Sequence, residues 1–217
     1  SIRQQNDGIF ERAVDLDVPL YIHPTPPHPA VQEAYFKEYP ALAVAPLGFT
    51  LETLTHTFRL IVGGLFDEFP TLKIIVGHLG ETAPFLLWRT DNILGERAPM
   101  PRAFADYYRE HFWLTTSGAF SNSALTCSIA EMGVERILFS VDWPFMSNRA
   151  GRKWMDAAPV SEHDRALIFG SKKPAETVVS VSDHKKIGTR LRQSECQLYA
   201  RESRVGEAFR RRSDFSH

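Results

Sequence analysis

The chain has 217 residues, of which 43% are hydrophobic and 24% are charged, and these values are typical of a globular protein. Its net charge of −1 gives no reason to expect nucleic acid as a partner. No run approaches the roughly 20 apolar residues that a membrane-spanning helix needs, so we expect no membrane partner. The two cysteines, Cys127 and Cys196, have no zinc-type spacing and indicate no disulfide framework, which favours a reducing compartment such as the cytoplasm.

The charge is divided unevenly along the chain. Residues 1–170 contain 14 Lys and Arg against 20 Asp and Glu, whereas residues 171–217 contain 11 against 6. The second segment has few large apolar residues, and they follow no sustained period. We therefore predict one domain over residues 1–170 and a basic, disordered tail over residues 171–217, whose charges are solvated rather than bound to nucleic acid.

Strand-like and helix-like segments alternate along the predicted domain. Short apolar or β-branched runs indicate the strands, and apolar residues three and four positions apart indicate the helices. In chain order we predict a helix over 7–17, a strand over 18–24, a helix over 50–69, a strand over 72–78, a helix over 82–94, a strand over 111–118, a helix over 122–133, a strand over 135–145 and a helix over 161–170.

This alternation predicts the fold class. Strands that are apolar on both faces and alternate with helices form a parallel sheet with right-handed crossovers. A complete (β/α)8 barrel of the TIM type needs about 250 residues. Four strand–helix units therefore predict an α/β fold that corresponds to about half of such a barrel, with an unpaired strand at each edge of its sheet.

Single residues predict some local details. Thr50 is placed to cap the start of the helix over 50–69. The pair Gly63 and Gly64 costs helix stability, and we expect it to permit close packing within that helix. Trp88 is large and apolar, so we expect it to pack in the core.

Ionisable residues follow three of the predicted strands. His23, His78 and Asp142 each come directly after an apolar run. One such residue is more often structural, but the carboxyl ends of barrel strands converge on one face, so three at equivalent places indicate a site. Imidazole and carboxylate ligands suit zinc, or manganese where more oxygen ligands join. The pattern therefore predicts a divalent metal, either zinc or manganese.

Two further residues each allow two interpretations. Glu81 could favour a helix start through the helix dipole, or it could bind the imidazole three residues before it and set its tautomer. Arg89 could extend its apolar stem along its helix, or it could bind a substrate carboxylate through two hydrogen bonds.

Three stretches carry a resemblance to a known family. They are YIHP over residues 21–24, FPTLKIIVGHLGETAPFLLWRTDN over residues 69–92 and ILFSVDWPF over residues 137–145. They resemble the amidohydrolase-related, metal-dependent decarboxylases that act on hydroxybenzoates or on aminocarboxymuconate semialdehyde. The resemblance covers about residues 1–170 and implies the C-terminal half of a TIM-type barrel and a homo-oligomer.

The resemblance also implies a reaction and a role for each candidate residue. The reaction is metal-dependent, non-oxidative decarboxylation of a small aromatic or unsaturated carboxylic acid. The implied roles are metal ligand for His23 and Asp142, catalytic residue for His78, Glu81 and Asp142, and substrate contact for Arg89 and Phe145.

The sequence departs from the family at both ends. The family's first strand carries a further pair of metal ligands that is missing here, and the stretch from Ser171 replaces the family's last barrel helix. We expect an incomplete or misassembled gene model to be the cause, with impaired activity of the chain as written. Two alternatives therefore stay open: a metal-dependent hydrolase of the same superfamily, or a non-catalytic fragment.

Overall fold

The computed structural model describes residues 2–98 and 100–170, which lie within one compact unit. The predicted tail over 171–217 lies outside the described residues, so the domain boundary at residue 170 stays a prediction. The described strands are β1 (Leu20–Ile22), β2 (Ile74–Val76), β3 (Phe112–Thr115) and β4 (Ile137–Leu138).

Helices separate these strands. The described helices of seven or more residues are α1 (Ile2–Asp15), α2 (Gly48–Val62), α3 (Ala83–Arg97), α4 (Phe104–His111), α5 (Asn122–Met132), α6 (Asn148–Ala157) and α7 (Glu162–Ile168). Short helical turns cover Pro29–Val31, Gln32–Phe36, Pro40–Ala43, Leu65–Glu68, His78–Glu81 and Val134–Arg136. In the described part of the chain, no helix is both long and apolar enough to cross a membrane.

The four described strands form one parallel sheet in the order β1-β2-β3-β4. Each strand therefore pairs with the next one along the chain, as the strand–helix alternation predicts. Within the described residues, β1 and β4 each have a neighbour on one side only. The predicted α/β fold with four parallel strands is confirmed.

The two faces of the sheet differ in burial. The register aligns Ile22, Val76 and Leu114 in one row, and this face packs into the main hydrophobic core. The neighbouring row of Tyr21 and Trp113 lies on the opposite face, and Tyr21 is 49% exposed. One face of the sheet is thus covered by helices, while the face that would line a barrel interior is partly open.

Two local predictions are wrong at α2. This helix begins at Gly48 after Leu47, so Thr50 lies inside its first turn and does not cap it. The predicted helix over 50–69 is also interrupted, because α2 ends at Val62 and Gly64 adopts a left-handed conformation with φ of 74°. Glycine takes this conformation at low cost, so the helix ends at the glycine pair.

Trp88 is not a core residue. It is 73% exposed on α3, close to the exposed Phe85 one turn earlier. At other helix starts, Pro84 lies in the first turn of α3, and the hydroxyl of Ser161 accepts a hydrogen bond from the amide of Asp164 at the start of α7.

Candidate active site

A left-handed turn follows β2. Residues 78–82 all have positive φ, with values of 51° at His78 and Glu81 and 80° at Gly80. A Cβ atom at Gly80 would lie 3.0 Å from a Leu114 methyl group, so both the conformation and the close packing require glycine there. Positive φ at non-glycine residues costs about 1–2 kcal/mol each, and such strain is concentrated at functional sites.

This turn brings His78 and Glu81 together. Nδ1 of His78 lies 2.5 Å from Oε1 of Glu81, and Oε2 of Glu81 accepts a hydrogen bond of 2.6 Å from the hydroxyl of Thr50. Glu81 is buried, with 5% of its surface exposed. The hydrogen bond that Glu81 accepts is the main cause that raises the pKa of His78, whereas burial lowers this pKa.

Asp142 faces the same imidazole from another strand end. It follows β4, adopts φ of 71° and is half-buried. Its Oδ2 lies 3.9 Å from Nε2 of His78, a distance for charge attraction rather than a hydrogen bond. Its carbonyl oxygen accepts hydrogen bonds from the amides of Phe145 and Met146, which closes the turn after β4. His78 thus lies between two carboxylates.

Gly118 provides the space in which these groups meet. It follows β3 with φ of 62°. A Cβ atom there would lie 3.2 Å from Oδ2 of Asp142 and 3.4 Å from Cδ2 of His78. A larger residue at this position would therefore crowd both groups. Gly118 was not predicted as a site residue, although its place at the end of an apolar strand was a signal in the sequence.

A row of hydroxyl groups borders the same edge of the sheet. The hydroxyl of Tyr21 lies 3.2 Å from Oγ1 of Thr115, which lies 2.8 Å from Oγ of Ser117. The hydroxyl of Tyr21 would also lie 3.2 Å from a Cβ atom at Gly77, just before His78. In the sequence, the polar residues Thr115 and Ser117 at the end of the apolar run of β3 were the feature that could have predicted this row of hydroxyl groups.

The remaining predicted site residues are exposed. His23 lies just after β1, Arg89 lies on α3, and Phe145 is 75% exposed in the turn after Asp142. Within residues 2–98 and 100–170, the structure brings His78, Glu81 and Asp142 together. Among these described residues, neither His23 nor Arg89 makes a hydrogen bond or ion pair with the three, and Phe145 contacts them through its backbone amide, which donates to the carbonyl oxygen of Asp142.

The donor chemistry suits a divalent metal only in part. Imidazole and carboxylate groups at the carboxyl edge are ligand types that zinc and manganese accept. However, no group of three or more His, Cys, Asp or Glu side chains in the described part of the chain is arranged to hold a metal ion. Any complete ligand set therefore needs donors in addition to those assembled here.

A parallel sheet covered by helices on one face, with an imidazole between two carboxylates at its carboxyl edge, is an arrangement typical of α/β-barrel proteins. The chain belongs to the Amidohydrolase family, whose sequence profile matches residues 2–171. It is 43% identical over 158 residues to γ-resorcylate decarboxylase of Rhizobium sp. (strain MTP-10005). That match covers 70% of this chain and 48% of the relative, so the chain spans about half the length of the curated relatives it matches.

Comparison with solved structures supports the same family assignment. The chain resembles dihydroxybenzoic acid decarboxylase of Polaromonas sp. JS666, solved with bound manganese and 2-nitroresorcinol, with a TM-score of 0.70 and 40% identity over 74% of this chain and 50% of that one. It also resembles 5-carboxyvanillate decarboxylase of Sphingomonas paucimobilis, with a TM-score of 0.71 and 35% identity over 75% and 50% of the two chains. The predicted resemblance and fold class are confirmed.

Proposed function

We propose that this chain provides the C-terminal half of the active site of a metal-dependent carboxy-lyase that removes carbon dioxide from a hydroxybenzoate. The observation that carries the proposal is the His78 imidazole, held 2.5 Å from Glu81 and 3.9 Å from Asp142 at the carboxyl edge of the sheet. The similarity to decarboxylases of dihydroxybenzoate and carboxyvanillate supports it.

We propose His23 and Asp142 as this chain's ligands to a divalent metal, with further ligands from outside the described residues. Manganese is our first choice over zinc, because the Polaromonas decarboxylase was solved with manganese. When bound, the metal would neutralise the substrate's carboxylate and an adjacent phenolic oxygen and so fix the ring in place.

The chain's own residues would then handle protons and position the ring. The Asp142 carboxyl group would deliver a proton to the ring carbon that carries the carboxylate, and carbon dioxide would leave as the ring regains its aromaticity. In its protonated form, His78, held at Nδ1 by Glu81, would donate a hydrogen bond from Nε2 to the phenolic oxygen. Arg89 would bind the substrate carboxylate and Phe145 would contact the ring, once the pocket wall around these exposed residues is complete.

The proposed substrate class is a benzoate with a hydroxyl group next to its carboxylate. 2,6-Dihydroxybenzoate is the first choice, because a decarboxylase solved with this compound is 40% identical to the chain, with a TM-score of 0.70. We further propose a cytoplasmic, homo-oligomeric protein. Hydrolysis of an amide or ester, and a non-catalytic fragment, are the competing outcomes of the following test.

The test measures resorcinol and carbon dioxide formed from 2,6-dihydroxybenzoate in the presence of Mn²⁺. One sample contains the chain alone, and a second contains the chain co-produced with the N-terminal half of the Polaromonas decarboxylase. Because the chain matches half of such enzymes, we expect the second sample to form resorcinol and the first to be slower. Arg152→Gln removes an exposed ion pair with Asp156 on α6 and is the matched control for a surface change, so it should keep the parent rate.

Two results would contradict the proposal. Cleavage of an amide or ester panel by the co-produced sample, without resorcinol, would favour the hydrolase. No turnover of any compound by a co-produced sample that forms a stable complex would favour the non-catalytic fragment.

A further inference from the structure

The hydroxyl of Thr50 reaches Glu81 across 31 positions of the sequence. Thr50 lies in the first turn of α2, and its hydroxyl donates a hydrogen bond of 2.6 Å to Oε2 of Glu81. The other oxygen of this carboxylate, Oε1, faces Nδ1 of His78 at 2.5 Å. Glu81 is therefore held at both oxygens, one by the imidazole and one by α2.

The surroundings of Glu81 make this second contact important. The side chain of Glu81 is buried, and the neighbouring fully buried Tyr108 hydroxyl has no hydrogen-bond partner among the described residues. Burial and the nearby charge of Glu81 raise the pKa of Tyr108. The Tyr108 hydroxyl donates no hydrogen bond to Glu81 among the described residues, so Oε2 without Thr50 would lose its described donor in a water-poor environment.

We propose that Thr50 is a positioning residue: its hydroxyl fixes the Glu81 carboxylate in the orientation that binds Nδ1 of His78. A carboxylate held this way selects the His78 tautomer that carries its proton on Nδ1. The lone pair on Nε2 then points toward Asp142, 3.9 Å away. The role in catalysis rests on the proposed decarboxylation, whereas the role in fixing the tautomer does not.

A second threonine on α2 provides a matched control for replacing Thr50. Thr53 lies one turn after Thr50, is 1% exposed, and its hydroxyl has no hydrogen-bond partner among the described residues. Thr50→Val and Thr53→Val therefore make the same isosteric change on the same helix. One of them removes a bond to Glu81 and the other removes no such bond.

The experiment measures the tautomer of neutral His78 by nitrogen NMR of the histidine-labelled chain, with no metal and no substrate present. The signals are assigned with His78→Gln. In the parent we expect two well-separated ring-nitrogen signals, as in one fixed tautomer with Nδ1 protonated. In Thr50→Val we expect these signals to converge, because the loosened carboxylate allows both tautomers. Thr50→Ser keeps a hydroxyl group and should restore the parent spectrum, and Thr53→Val should not alter it.

Parent-like His78 signals in Thr50→Val would overturn the proposal. So would equal convergence in Thr50→Val and Thr53→Val, since a general loosening of α2 would then be the cause. If Thr50→Val does not fold, failure of Thr50→Ser to keep the parent signals is the contradicting result. Because no substrate is used, failure of the decarboxylation assay leaves this result unaffected.

Discussion

Nε2 of His78 and Oδ2 of Asp142 lie 3.9 Å apart, although the two residues follow strands β2 and β4, which are not neighbours in the sheet. Strand β3 lies between them, and the chain that leaves β3 passes this point at Gly118. Both His78 and Asp142 adopt positive φ, which turns their backbones at the sheet edge. The pair therefore depends on two strained turns and one residue without a side chain.

Replacing Glu81 by glutamine should lower the pKa of His78. The hydrogen bond that His78 donates to Glu81 is the largest cause of the raised pKa, and a neutral amide stabilises the imidazolium much less. NMR titration of the assigned His78 signals measures this change. Glu52→Gln is the matched control, since it removes the carboxylate that lies 2.8 Å from His56 on α2 and should leave the pKa of His78 unchanged. An unchanged pKa in Glu81→Gln would contradict the described pair.

Replacing Gly118 by alanine should destabilise the protein by about 1–2 kcal/mol, because alanine is strained at positive φ. The new methyl group would also crowd Oδ2 of Asp142 at 3.2 Å. Urea unfolding measures the loss. Gly95→Ala in the exposed part of α3 meets no atom within 4 Å and should stabilise by about 0.5–1 kcal/mol. Equal effects of the two changes would refute the described backbone at Gly118.

Removing the hydroxyl group from each of two adjacent tyrosines on α4 should change the stability of the protein in opposite directions. The Tyr108 hydroxyl is fully buried without a hydrogen-bond partner among the described residues, so Tyr108→Phe should stabilise by about 1 kcal/mol. The Tyr107 hydroxyl donates a hydrogen bond to Asp67, so Tyr107→Phe should destabilise by about 1 kcal/mol. The free energy of unfolding of both variants measures these effects. Destabilisation by Tyr108→Phe would indicate that its hydroxyl has a partner.

Stability should fall as the pH drops below about 6.5, partly through His111. This imidazole is buried against the ring of Phe66, and burial lowers its pKa although Nδ1 donates a hydrogen bond to the carbonyl of Leu72. The unfolded chain then binds a proton that the folded chain does not, so acid favours unfolding. The raised pKa of His78 has the opposite effect, because its contribution is present in acid and is lost as the pH rises through its folded pKa.

Urea unfolding at pH 7.5 and pH 5.5 separates these contributions. His111→Phe should be less stable at both values, with a smaller difference between them than the parent has. The exposed His163→Gln on α7 is the control and should keep the parent's difference. A His111→Phe variant with the parent's full pH dependence would exclude His111 as the cause.

The strands and the contact between His78 and Glu81 could be predicted from the sequence, because both depend on local patterns. The four β-branched or apolar runs gave the sheet, and the spacing of His78 and Glu81 allowed a contact that the structure confirms. The helices α4 and α6 were not predicted. Their sequences carry several charges, and their buried residues are defined mainly by tertiary packing.

The rest of the candidate site depends on long-range geometry. Positive φ is uncommon at residues other than glycine, so no local pattern predicts the turns at His78 and Asp142. A threonine near a helix start favours a capping role, whereas Thr50 binds Glu81 from another element. Gly118 is important because atoms of His78 and Asp142, which belong to two other loops, lie close to it. Only the folded chain brings these loops together.

The most direct test of the central claim is manganese-dependent release of carbon dioxide from 2,6-dihydroxybenzoate by the chain co-produced with the N-terminal half of the Polaromonas enzyme. The account predicts release that stops when manganese is removed by a chelator. Asp142→Asn should reduce the rate by about 10²–10⁴-fold, the usual contribution of a positioned acid or base. A rate that is unchanged in Asp142→Asn, or unchanged without manganese, would contradict the assignment of Asp142 to a metal-dependent decarboxylase site.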